Sequence, residues 1–158
     1  MIGGQTLPLC ARCTGVFAGA ALMAFALPLA RFKPSQTILW LHGLAILQML
    51  FLGFHLVGEQ AAWVRTLSGT LFAIGTMYFL WLPVGSVLPP RADARAWPYF
   101  VAVGAITVAL QVLVRLDVKS VASLVLSLAL LGIVTFAAVA LAAVISCGRA
   151  LSLRGTPA

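Results

Sequence analysis

Two thiols three positions apart, in Pro8-Leu9-Cys10-Ala11-Arg12-Cys13-Thr14-Gly15, are the densest reactive chemistry in the chain. A C-x-x-C pair can chelate a soft metal, close a short disulfide, or pack as two small apolar groups. Arg12 stands between the thiols, and a helix starting beside them adds a positive dipole end, so both favour thiolate and the exchange chemistry that thiolates perform. The third cysteine, Cys147, lies more than 130 residues away, and three thiols allow at most one internal bridge. No Ser-His-Asp set, phosphate loop or carboxylate pair accompanies them, so the reading leans away from an enzyme.

The elements that must carry this pair are oily. Of 158 residues, 63% are hydrophobic and only 8% charged, and the mean hydropathy is +1.12. A soluble domain uses roughly 25% charged residues, so the expected solvent for most of this surface is a bilayer. The net charge of +7 arises from ten basic and three acidic residues set between apolar runs, a placement that suits lipid headgroups rather than nucleic acid.

The runs predict an all-α, polytopic transmembrane bundle with five spans, at about 8–30, 37–57, 66–88, 97–114 and 120–146, in one integral membrane domain covering 1–158 with a flexible basic tail at 148–158. Starting the first helix near Pro8, capped by Thr6, would place both cysteines about one turn inside it. Val16–Leu27 also has the length of a signal-peptide apolar region, but a cysteine pair ahead of it argues against that use. Gly15 and Gly19, and Ser123 and Ser127, are small-x-x-x-small pairs that predict close helix contacts. Gln48, Thr107 and Gln111 are expected to hydrogen-bond between helices, and Pro83 to kink the third span.

Five spans put the chain's ends on opposite sides. Arg12, Arg65, Arg115 and Lys119 fall on the N-terminal side, and Arg31, Lys33, Arg91, Arg95, Arg149 and Arg154 on the other. The positive-inside rule then sets the N-terminus outside and the C-terminus in the cytoplasm. In that topology the second span brings His55 to the cysteine end, with Glu59 four residues later and Arg65 opening the next span. His42, thirteen residues before His55, lies about 20 Å away along a helix and has a structural or headgroup role. Cys10, Cys13, His55 and Glu59 form a zinc-type donor set, with Arg12 and Arg65 in support. Each piece has a plain alternative: packed thiols, an interfacial histidine, solvated loop charges.

The block Gly3-Gly4-Gln5-Thr6-Leu7-Pro8-Leu9-Cys10-Ala11-Arg12-Cys13-Thr14-Gly15-Val16-Phe17-Ala18-Gly19 resembles the signature of the domain of unknown function 2085, a family of small prokaryotic membrane proteins. Its later Arg and small-residue-Gly element is matched by Arg65 and Ser68-Gly69. Relatives carry a Cys-His pair and an Arg-Ser-Phe stretch upstream of the glycines, where this chain begins at Met1-Ile2. The resemblance implies location in a prokaryotic inner membrane and an N-terminal thiol site, and supplies no activity. The resulting expectation is a membrane protein whose outer-face C-x-x-C binds a metal, with zinc as the candidate ion. Its rivals are a non-catalytic subunit of a larger membrane complex and a membrane thiol-disulfide protein.

Overall fold

A computed structural model describes residues 9–53, 58–87, 96–115 and 119–154. The described residues are helical, without strands, in five helices: α1 (Ala11–Ala26), α2 (Gln36–Gly53), α3 (Ala62–Val87), α4 (Trp97–Arg115) and α5 (Lys119–Arg154), with a 3-10 turn Leu27–Leu29 closing α1. All five are long and apolar enough to cross a bilayer, so the chain is a multi-pass membrane protein. Large apolar side chains cover its outside: Trp40 is 65% exposed and Val108 63%, as expected where lipid replaces water.

The bundle is built around α1 and α3, whose mutual contact is the most extensive, followed by that of α1 with α5. Oil offers no hydrophobic drive to pair helices, so small residues that let backbones meet must do it. A Cβ on Gly15 would strike the Thr66 carbonyl, and one on Gly69 would strike the Arg12 carbonyl. Gly19 comes within 3.3 Å, by its would-be Cβ, of Thr70 and Ala73. Hydroxyls fasten the same seam: Thr66 donates to the Ala11 carbonyl at 3.2 Å and Thr70 to the Gly15 carbonyl at 3.5 Å. The ascending register shows that α1 and α3 run parallel, as α2 between them requires.

The expected Gly15–Gly19 contact is therefore present, with Ser68-Gly69 as its counterpart on α3. The expectation for Ser123 and Ser127 fails. Both are exposed, and the Ser127 hydroxyl bonds back to the Ser123 carbonyl at 2.9 Å. The buried stripe of α5 is Ala122, Val125 and Ala129, continued by Gly132, where a Cβ would collide with the Phe17 backbone. The buried and the exposed stripes lie side by side on this helix, and the depth of packing selects between them.

Several interior polar groups are paired. Gln48 donates to the Ser68 carbonyl at 2.9 Å and accepts from the Ser68 hydroxyl at 2.9 Å, whereas Thr107 bonds only to Val103 within its own helix. His42 is buried, with Nδ1 2.8 Å from the Ile38 carbonyl and Nε2 2.7 Å from the Tyr99 hydroxyl. A carbonyl only accepts, so Nδ1 carries the proton and Nε2 accepts from Tyr99. The ring stacks on Tyr78 at 3.9 Å, and the role of His42 is structural.

Three boundaries differ from expectation. The first helix starts at Ala11, not near Pro8, because Cys10 itself is the N-cap, with extended backbone at φ −63°, ψ 153°. The third starts at Ala62, four residues early, so Trp63 and Arg65 sit in its first turn. The last runs through Gly148 to Arg154, so the basic residues assigned to an irregular tail lie on helix; 155–158 fall outside the described residues, as does Thr6.

Two substitutions test this packing. Gly69→Val should destabilise the detergent-solubilised fold by roughly 1–3 kcal/mol through overpacking, while Gly104→Ala, with nothing within 4 Å of its would-be Cβ, should leave the unfolding midpoint in place. Tyr99→Phe leaves His42 Nε2 buried without a donor and should cost about 1–3 kcal/mol in the same assay.

Candidate functional site: a thiol pair capping the first helix

The cysteine end of the bundle gathers the start of α1, the end of α2 and the start of α3. Because Cys10 caps α1, its sulfur takes the place of the oxygen that usually accepts a free N–H of the first turn. The Cys13 amide donates to Cys10 Sγ at 3.1 Å, and the two sulfurs are hydrogen-bonded at 2.7 Å. Thr14 holds the turn by donating its hydroxyl at 3.1 Å and its amide at 2.9 Å to the Cys10 carbonyl. Both thiols are free; Cys10 is exposed and Cys13 partly so.

Partial burial raises the Cys10 thiol, but other influences outweigh it. Hydrogen bonds from the Cys13 side chain and amide and from the Arg12 amide, together with the Arg12 charge, carry the thiol below its ordinary value. Cys10 is the exposed member and the better thiolate, and Cys13 stands behind it within bonding reach. That is the division of labour required of an attacking and a resolving thiol.

Arg12 does more than lend charge. Its guanidinium crosses to the end of α2, donating to the Leu52 carbonyl at 2.6 Å, the Gly53 carbonyl at 3.1 Å and Gln60 Oε1 at 3.3 Å. Gln60 in turn donates to the Leu52 carbonyl at 3.0 Å. The last carbonyls of a helix lack intrahelical partners and carry negative partial charge, so an arginine answers both needs. Gly58, at φ +82°, takes the left-handed turn that brings the chain back toward Gln60. Sequence reasoning missed this role. Its only trace was an arginine fixed on the first turn of one span while another span ended in glycine.

The wider donor set is not assembled from the described residues. Among them no three of His, Cys, Asp and Glu come together; Glu59 is exposed and does not join the thiols. His55 lies outside the described residues. Arg65 is on α3 with its Nε buried and unpartnered. A tetrahedral zinc site needs four donors, of which Cys10 and Cys13 would be two, and their 2.7 Å separation is shorter than the edge of about 3.8 Å that two Zn–S bonds subtend. Arg115 closes this end of the bundle, its guanidinium 5.1 Å from the Trp63 ring centre, a cation–π contact.

Because thiolate is the reactive form, a lowered Cys10 keeps its alkylation rate as pH falls through the range where a free thiol, near 8.5, loses it. The rate of maleimide capture at Cys10 followed against pH should have its midpoint below that value, and Cys13→Ala, which removes a hydrogen bond to the thiolate, should move the midpoint upward.

A family model described as a predicted membrane protein (DUF2085) matches residues 1–79, half of the 158-residue chain. No curated protein and no solved structure matches it. The matched half holds the thiol pair, Arg12 and its partners, and the whole Gly15–Gly19–Gly69 seam, whereas α4 and α5 fall outside it. The chain belongs to the DUF2085 family of predicted membrane proteins.

Proposed function

We propose that this protein presents a thiol-disulfide exchange pair at one face of the membrane. The observation that carries the proposal is the capped turn: Cys10 exposed and favoured as thiolate, with Cys13 Sγ 2.7 Å behind it. Cys10 thiolate attacks one sulfur of a substrate disulfide, breaking that S–S bond and forming a mixed disulfide. The released substrate thiolate takes up a proton. Cys13 then loses its proton and attacks Cys10 Sγ, forming the Cys10–Cys13 disulfide and freeing the second substrate thiol. Two electrons pass from the pair to the substrate, and the reverse sequence oxidises a substrate dithiol. We place the pair on the outer face of a prokaryotic inner membrane, following the charge bias of the loops. There disulfide-bearing proteins are the substrate class.

A zinc-type site is the second reading, supported by the two soft donors standing at an accessible helix start, Cys10 exposed and Cys13 partly so. It requires two further ligands, for which His55, two residues beyond Gly53 in sequence, and Glu59 are the candidates.

A titration of the membrane-embedded protein in glutathione redox buffers, read by mass after alkylation, separates the readings. Exchange predicts a single two-electron transition lost in Cys13→Ala. A pair that stays reduced throughout, with zinc bound and then released by Cys10→Ala/Cys13→Ala, would replace exchange with metal binding.

A further inference from the structure

At the end of the bundle opposite the thiols, α1 finishes in the turn Leu27–Leu29 and the chain crosses to α2 past the last turns of α3. A cavity of about 460 Å³ opens there. Phe32 and Leu82 give it apolar lining, Arg31, Lys33 and Ser86 polar lining, and Trp81 and Gly85 also line it.

Three observations bear on what it holds. First, two cations stand within three residues, and the acidic residue among the described positions, Glu59, lies at the other end of the bundle. Second, Arg31 Nε and Trp81 Nε1 are both buried N–H donors without a partner among the described residues. Buried donors are normally satisfied, and both of these belong to side chains that line the cavity. Third, Gly85 leaves space beside the indole, since a Cβ there would sit 3.3 Å from Trp81 Nε1. The cavity therefore combines cations, spare donors and an apolar wall at the level where the first span leaves the bilayer.

A free anion would use only the polar part. A phospholipid of net negative charge uses all of it, because its phosphate meets the cations while an acyl chain lies along the apolar wall. We propose that this cavity binds the headgroup of an anionic phospholipid, with the phosphodiester between Arg31 and Lys33 and the Trp81 N–H donating to a headgroup oxygen. Bound there, the lipid would fasten the short Ala30–Ser35 crossing to the end of α3.

The test uses full-length protein in nanodiscs of equimolar phosphatidylcholine and phosphatidylglycerol, gently released and read by native mass spectrometry. Wild type should keep phosphatidylglycerol in preference to phosphatidylcholine. Retention should fall roughly fivefold for each cation removed in Arg31→Gln and Lys33→Gln. Trp81→Phe should weaken it without any change of charge, and Arg149→Gln, an equal charge loss at the same end, should leave it intact. Equal retention by wild type and the pocket variants would overturn the proposal, as would an equal loss in Arg149→Gln. So would displacement of the lipid by inorganic phosphate, which would mark an anion site without lipid selectivity. Lys33 is exposed, so Lys33→Gln tests the site even if Arg31→Gln disturbs the fold.

Discussion

The close approach of α1 and α3 is the constraint on which the rest depends. Lipid tails are as apolar as the helices, so association must come from backbone-to-backbone packing and hydrogen bonds that bare residues permit. Gly15, Gly19 and Gly69 supply that approach, and Thr66 and Thr70 add hydroxyl bonds across it. Once α1 and α3 lie parallel, α2 is forced to run back between their ends, and its terminal carbonyls arrive where Arg12 can reach them. The thiol pair inherits its rigidity from this arrangement, because Cys10 caps a helix whose first turn is held on two sides.

The two ends of the bundle are unlike in chemistry. One carries two thiols, an arginine tied to helix carbonyls, and a polar return through Gly58 and Gln60. The other is a cluster of Phe32, Tyr78, Tyr99 and His42, whose rings stand 3.9–6.5 Å apart. A histidine in such a place invites a functional reading, yet both of its nitrogens are satisfied, by Ile38 and Tyr99. Satisfied polar groups hold a core in register. Among the described residues the buried unpartnered atoms of this half include Arg31 Nε, Thr76 Oγ1 and Trp81 Nε1, and no atom of His42.

Much of the architecture was legible because the bilayer enforces it. Helices of 18 or more residues that are apolar on average, divided by prolines and charges, leave few other folds. The Gly15–Gly19 contact was also legible, since small residues four apart have a direct packing meaning. What escaped was whatever depends on register. Ser123–Ser127 and the buried stripe of Ala122, Val125 and Ala129 lie on the same helix, and the packing of Phe17 against Gly132 sets which of them faces the bundle. The start of α1 escaped for a different reason. Cysteine is not among the residues favoured at an N-cap, so the sequence pointed to Thr6 and set both thiols inside the helix.

That shift of the helix start changes the chemistry more than the fold. With both cysteines inside the helix, their sulfurs would be equivalent donors on one face, the arrangement that suits a shared metal. With Cys10 at the cap they are unequal. Its sulfur collects an amide N–H and the positive end of the α1 dipole, while Cys13 is held in the first turn. Inequality is what exchange chemistry needs, since one sulfur must attack and the other must wait for the mixed disulfide. Arg12 enforces the asymmetry by a route remote from sulfur. By bonding the α2 carbonyls it fixes the rotation of the first turn of α1, and so fixes which thiol faces water and which faces the bundle.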